Sequence, residues 1–148
     1  MNSLPIPNPA RQLRHVLLAS DLDGSSAQAA DEAIELAAAQ EAVLVVLSVV
    51  PRDRLSMQLR YGSPSAERDL RDGRAREVVA RAASLGVIAT SVVWYGNTAE
   101  AILEATRTEH ADVVVLGARK RTNLVRLLGS VSSKVARDAP CPVVIVPA

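Results

Sequence analysis

Aromatic residues, cysteine and long apolar runs are scarce in this sequence, and each scarcity excludes a class of protein. Aromatic side chains make up 2% of the 148 residues and phenylalanine is missing, so the core must be aliphatic and few rings can stack on single-stranded nucleic acid. The lone Cys141 excludes an internal disulfide and a cysteine-rich metal site, and it fits a reducing compartment. No apolar run approaches the ~20 residues that span a bilayer.

An excess of charge of one sign is lacking too. The formal net charge of +1 predicts no general attraction to nucleic acid or to a membrane, so any electrostatic function must be local. Residues 1–12 contain three prolines and no apolar core of the kind found in secretory signals. We therefore expect a flexible tail over residues 1–12, one domain over residues 13–148, and a cytoplasmic location.

What the sequence does contain is an alternation of short β-branched runs and longer stretches of helical period. The predicted strands are His15–Ala19, Ala42–Val50, Val87–Trp94, Asp112–Leu116 and Pro142–Pro147. The predicted helices are Ser26–Ala39, Ala66–Leu85, a helix capped by Asn97, with Thr98 as a competing cap and Glu100 in its first turn, and Ser130–Arg137. This order predicts an α/β fold, in which one open, Rossmann-like parallel sheet is covered by crossover helices on both faces.

The second of these helices is the most charged segment of the chain. Three oppositely charged pairs stand four residues apart in it: Glu67 with Arg71, Asp72 with Arg76, and Glu77 with Arg81. Pairs at this spacing support an exposed helix, and Gly86 is expected to end it.

Two loops follow the carboxyl ends of predicted strands, which is where open parallel sheets bind ligands. The first is Ser20–Ser25, and the second is Gly117–Ser130. The second loop contains four basic residues with no acidic residue between them: Arg119, Lys120, Arg121 and Arg126. It ends in Gly129, where a helix begins, and a helix start offers N–H groups to an anion. A phosphate cradle is one interpretation, and a solvated basic loop is the other.

The chain resembles the universal stress protein family over about residues 14–148. The resemblance lies in Asp21 after the first strand, in YGNTAEAILEAT, and above all in ADVVVLGARKRTNLVRLLGSVSSKVARDAPCPVVIVP. It implies an adenine nucleotide alpha hydrolase-like sheet of order 3-2-1-4-5, in which the loops after strands one and four face one crevice. It also implies a homodimer that pairs through Val143, Val144, Ile145 and Val146 of strand five.

Nucleotide-binding members of that family have Gly-x2-Gly-x9-Gly-[Ser/Thr] after strand four. This chain keeps Gly117 and Gly129-Ser130, but Lys120 replaces the middle glycine, and eight residues separate it from Gly129. A lysine held at positive φ would cost about 1–2 kcal/mol. Its ammonium group would, however, add a charge-assisted donor to phosphates.

The matched positions imply contacts with ATP or ADP, accompanied by Mg²⁺ if a triphosphate is bound. Asp21 would accept a hydrogen bond from the adenine edge, beside Leu22, and Val49 would meet the base. The remaining implied contacts, to ribose and phosphates, are Gly117, Arg119, Lys120, Gly129, Ser130, Val131 and Ser132.

A second interpretation starts from the run Asp21-Leu22-Asp23-Gly24-Ser25, which resembles the first motif of haloacid-dehalogenase-type phosphohydrolases. In that family the first aspartate attacks phosphorus and both aspartates hold magnesium. The further acidic ligands that a hard cation needs are not where they should be. The loops after strands two and four begin PRDR and GARKR, and Asp112 precedes its strand. We therefore expect no catalytic residue and no protein metal site, while slow ATP hydrolysis stays open.

Two classes of function remain. In the first, the protein is a stress-response regulator whose adenine nucleotide biases the dimer or the choice of an unidentified protein partner. In the second, the fold is kept without nucleotide binding, and the protein works through protein contacts. The segment Pro51–Ser65, with Met57 and Tyr61, is either a lid over the base or a surface loop.

Other polar and aromatic residues are not expected to be catalytic. His15 and His110 have no ligand-spaced partner, so we expect structural or surface roles for them. Ser130, Ser132 and Ser133 have no triad, so they are expected to be helix caps or phosphate donors and not nucleophiles. Cys141 is expected to be a small buried side chain, and Trp94 to pack in the core or at an interface.

Overall fold

The computed structural model describes residues 12–22, 27–51, 64–117 and 129–147. Five strands and four helices alternate along them, in this order: β1 (His15–Ala19), α1 (Ala27–Gln40), β2 (Val43–Pro51), α2 (Pro64–Ser84), β3 (Ala89–Gly96), α3 (Thr98–Thr108), β4 (Val113–Gly117), α4 (Ser130–Asp138) and β5 (Val143–Val146). The strands form one parallel sheet of order β3-β2-β1-β4-β5. The predicted fold and strand order are confirmed.

The three central strands are apolar on both faces because helices cover both faces. Residues 16–19 of β1, 44–50 of β2 and 113–116 of β4 are all buried, as parallel sheets require. Alternate side chains divide them between two cores. Leu18 packs with α1 and α2, whereas Leu17 packs with α3 and α4.

Element ends differ from the predicted ones by one or two residues, most clearly at β3. The predicted start at Val87 is wrong because Val87 closes the exit turn of α2, where its N–H donates to the Ala82 carbonyl at 3.0 Å. Gly86 in that turn has a φ of +79°, a conformation that glycine adopts without steric cost. The helix α2 begins at Pro64, whose missing N–H is not needed in a first turn.

The ion pairs of α2 are partly as predicted. Glu67 pairs with Arg71 at 3.1 Å and Asp72 with Arg76 at 3.0 Å. The third predicted pair, Glu77 with Arg81, is wrong, since Arg81 Nη2 lies 2.8 Å from Asp31 Oδ1 of α1. A long side chain at the helix flank can reach the next helix as readily as its own next turn.

The helix cap of α3 is confirmed, as Asn97 Oδ1 accepts the Glu100 N–H at 3.1 Å. Two further expectations concern residues outside the described ranges: the tail before Gln12, and residues 52–63, which include Met57 and Tyr61. Within the ranges that the structure describes, no helix has both the length and the apolarity to cross a membrane.

Candidate functional site

The carboxyl ends of β1, β2 and β4 meet at one edge of the sheet. Ala19 pairs with Leu47 on one side and Leu116 on the other, and adjacent strands lie about 4.8 Å apart. Asp21 and Val49 stand two residues beyond their paired positions, and Gly117 stands one residue beyond. The helix α4 begins at the same edge because it connects two parallel strands. Three strand ends and one helix start therefore lie at one edge of the sheet, where the strand order reverses between β1 and β4 and parallel sheets leave a crevice.

A strained turn follows β1 and sets the position of Asp21. The Ser20 N–H donates to the Leu47 carbonyl at 3.0 Å, and the Ser20 hydroxyl accepts the Leu22 N–H at 2.9 Å. Leu22 has a φ of +63°, which costs a leucine about 1–2 kcal/mol. Its side chain is buried in the core beside α1, so packing and the Ser20 hydrogen bond hold this conformation. Asp21 is thereby left half-buried at the edge of the sheet.

Ser20 is a residue that we did not select from the sequence. A serine hydroxyl often accepts the N–H of the residue two positions ahead. A serine directly after an apolar strand could therefore have predicted this turn.

The glycine that begins α4 is not required by the fold. Gly129 has φ −58° and ψ 161°, which any residue can adopt. A Cβ added to it would meet no described atom within 4 Å. Ser, Asp and Asn are the preferred residues at this N-cap position, and glycine is accepted there about as well as Thr. The missing side chain therefore leaves space in front of α4 without serving the backbone.

The first turn of α4 points N–H groups into that space. The Ser133 N–H donates to the Gly129 carbonyl at 2.9 Å, so the three N–H groups of residues 130–132 precede the first intrahelical bond. They form the positive end of the helix dipole. Val135 is fully buried and Lys134 pairs with Glu100 of α3 at 3.6 Å, which fixes the helix against its neighbour.

The predicted contact residues fall into three groups. Asp21, Gly117, Gly129 and Ser130 lie at the crevice, and Val131 and Ser132 continue the same helix turn. The side chains of Leu22 and Val49 are buried in the two cores, and Val49 is paired with Trp94 of β3. Arg119 and Lys120 lie outside the described residues. The contact of each residue with a nucleotide stays a prediction.

Asp112 lies at the opposite edge of the sheet from Asp21. Its Oδ2 accepts the N–H groups of Arg14 and His15 at 2.8 and 3.0 Å, and its own N–H donates to the His15 carbonyl at 2.9 Å. It therefore joins the starts of β1 and β4 and does not complete a carboxylate set around Asp21. In the described part of the chain, no three His, Cys, Asp or Glu side chains are grouped to hold a metal ion.

Cys141 is half-buried, and burial, followed by the charge of Asp112, raises the pKa of its thiol. We expect iodoacetamide to label Cys141 more slowly than it labels free cysteine at pH 8, with labelling accelerating only at higher pH. Because the folded pKa is the higher one, this group favours folding below the unfolded thiol pKa. That advantage is lost as the pH rises through the folded value.

Mass spectrometry of the labelled protein against pH measures the effect, with Cys141→Ser as the blank. Labelling as fast as that of free cysteine at pH 8 would contradict it.

Comparison with known proteins gives one consistent answer. The model of the universal stress protein family matches residues 12–147. The universal stress protein YxiE of Bacillus subtilis is 31% identical over 143 residues, covering 88% of this chain and 97% of that protein. A universal stress protein of Thermus aquaticus is 42% identical over 76 residues, 49% of this chain and 56% of its own length. A solved universal stress protein in complex with cAMP has a TM-score of 0.72 and 27% identity, covering 93% of this chain and 98% of that one.

Proposed function

Because the chain belongs to the universal stress protein family, we propose that it binds an adenine nucleotide, ATP or ADP, in the crevice between Asp21 and α4. In this proposal it acts in the cytoplasm as a regulator of the stress response, and the nucleotide biases its shape or its choice of protein partner. Binding, rather than turnover, is the primary event.

The main support for this proposal is the position of Gly129 at the start of α4. A glycine that the backbone does not require, beside the first N–H groups of α4 and with no described atom within 4 Å of its added Cβ, allows a phosphate to approach closely. The 27% identical relative solved with cAMP supports an adenine nucleotide as the ligand.

Each residue of the crevice has a chemical role in this proposal. The Asp21 carboxylate accepts a hydrogen bond from the adenine amino group, and the first turn of α4 donates to phosphate oxygens. In the sequence, Lys120 replaces the family's middle glycine, and a lysine is a charge-assisted donor to phosphates. A triphosphate would bring Mg²⁺, which its own oxygens help to hold.

The placement of the histidines supports binding without fast chemistry. The chain has two histidines, and both lie at the amino edge of the sheet. His15 begins β1, and His110 follows the end of α3. Neither can act as a general base on a phosphate held by α4 at the other edge.

We further infer a homodimer that pairs through residues 143–146 of β5. This strand is at the edge of the sheet, and Val144 is exposed on it, so pairing with a second copy would cover an apolar edge. Sedimentation equilibrium of the purified protein measures this directly, and a monomer at high concentration would overturn it.

The test of binding is calorimetric titration of the purified protein with ATP, ADP and GTP, with and without magnesium. We expect saturable heat with the adenine nucleotides and a much weaker response to GTP. No heat at millimolar ATP or ADP would refute nucleotide binding and leave a regulator that works through protein contacts alone.

A further inference from the structure

Arg71 is a buried cation that the proposed nucleotide site does not use. It lies on α2 and is 5% exposed, although arginine is almost never buried unless it is paired. Its Nη2 and Nε donate to Glu67 Oε1 at 3.1 and 3.3 Å. Its Nη1 donates to the Ser48 hydroxyl of β2 at 2.8 Å, so Arg71 joins α2 to the sheet.

Ser48 is the polar residue of an otherwise apolar strand. It is 0% exposed, and a hydroxyl buried without a hydrogen-bond partner is destabilising. By strand alternation its side chain lies on the α1 and α2 face, opposite to Val49, which packs on the α3 and α4 face. Arg71 therefore binds β2 on the face opposite to Val49. The residue that it binds, Ser48, directly precedes this predicted base contact.

Among the described residues, the end of β2 pairs with a neighbouring strand on one side only. Its pairing with β1 runs from Val43 to Leu47, whereas its pairing with β3 continues to Pro51. Because β3 is itself at the edge of the sheet, residues 48–51 are held on one side by an outer strand. A hydrogen bond from α2 to Ser48 supplies a second attachment.

We propose that the Glu67–Arg71–Ser48 hydrogen bonds fix the end of β2 against α2 and so position Val49 at the base end of the nucleotide site. Arg71 is then a positioning residue, and this role rests on the proposed nucleotide binding. Because Arg71 acts on the part of the site that contacts the base, its replacement must lower the affinities for adenosine and for ATP by the same factor. A counter-charge to the phosphates would affect ATP far more than adenosine, because adenosine has no phosphate.

The test compares Arg71→Met and Ser48→Ala with a matched control, Arg76→Met. Arg76 is on the same helix and pairs with Asp72 at the same spacing, but its side chain is 76% exposed. Titration calorimetry measures the affinities for ATP and adenosine, and amide hydrogen exchange measures the opening of residues 48–50 without ligand. We expect Arg71→Met to weaken both ligands about tenfold, or about 1.4 kcal/mol, and to speed exchange at 48–50, with no change for Arg76→Met.

Each outcome decides a separate point. A larger loss for ATP than for adenosine would make Arg71 a counter-charge and overturn the positioning role. Unchanged affinity together with unchanged exchange would also overturn it. If the unaltered protein binds neither ligand, nucleotide binding fails, and exchange at residues 48–50 still decides whether Arg71 holds the strand. If Arg71→Met does not fold, the same measurements are made on Ser48→Ala, which removes the same hydrogen bond from the β2 side.

Discussion

A Gly129→Val variant should lose about 100-fold in affinity for ADP, or about 2.7 kcal/mol, while its free energy of unfolding falls by only about 1 kcal/mol, the cost of a poorer helix cap. The two effects separate because the described part of the chain does not oppose the side chain: no described atom lies within 4 Å of the added Cβ, and φ is −58°. A bound phosphate would occupy the space of that side chain, so the valine methyl groups would displace the phosphate and not the protein.

Titration calorimetry and urea unfolding of the same preparation measure both quantities. Gly73→Val is the control, because a Cβ added to Gly73 also meets no described atom within 4 Å, and Gly73 lies inside α2, away from the crevice. It should keep full affinity. Intact ADP binding by Gly129→Val would mean that the ligand does not approach α4, and strong destabilisation would make Gly129 a structural residue.

Replacing Leu18 by alanine should lower the free energy of unfolding by about 3–4 kcal/mol. Leu18 is 0% exposed and lies on the central strand, where it packs with α1 and α2. The backbone on both sides of β1 is held by neighbouring strands, so the sheet cannot collapse into the cavity. The described residues of the core cluster that contains Leu18 are all aliphatic, so none of them is a large ring that could refill the cavity.

Urea denaturation at 25 °C measures the loss. Leu85→Ala removes the same atoms from a leucine that is 63% exposed, and should change the free energy by less than about 0.5 kcal/mol. Equal effects of the two substitutions would contradict the burial assigned to Leu18.

The central strands were predictable because a strand that is buried on both faces appears in the sequence as a continuous apolar run, as in residues 42–50. The strand order was not contained in that pattern and came from the family resemblance alone. The start of β3 was misplaced because an apolar residue that closes a helix turn, such as Val87, resembles the first residue of a strand. Local hydrogen bonding, which composition does not show, decides between them.

The location of the candidate site was predictable from the sequence. A loop that follows a parallel strand lies at the carboxyl edge of the sheet, and this does not depend on which residues the loop contains. The burial of Arg71 was not predictable from its pairing with Glu67, because that spacing is the same on a buried and an exposed helix face. The informative signal lay elsewhere, in the single serine among the apolar residues of β2. A buried hydroxyl needs a partner, and a long cationic side chain from the covering helix supplies it.

The pairing of Val49 with Trp94 gives the protein a built-in optical probe. Trp94 is the only tryptophan in the chain, and it packs on the same face of the sheet as Val49. Its fluorescence emission therefore reports from a single place, one strand away from the expected position of the base. Ligand binding at the end of β2 can be followed by this emission in the unlabelled protein, while a ligand that binds elsewhere leaves the spectrum unchanged.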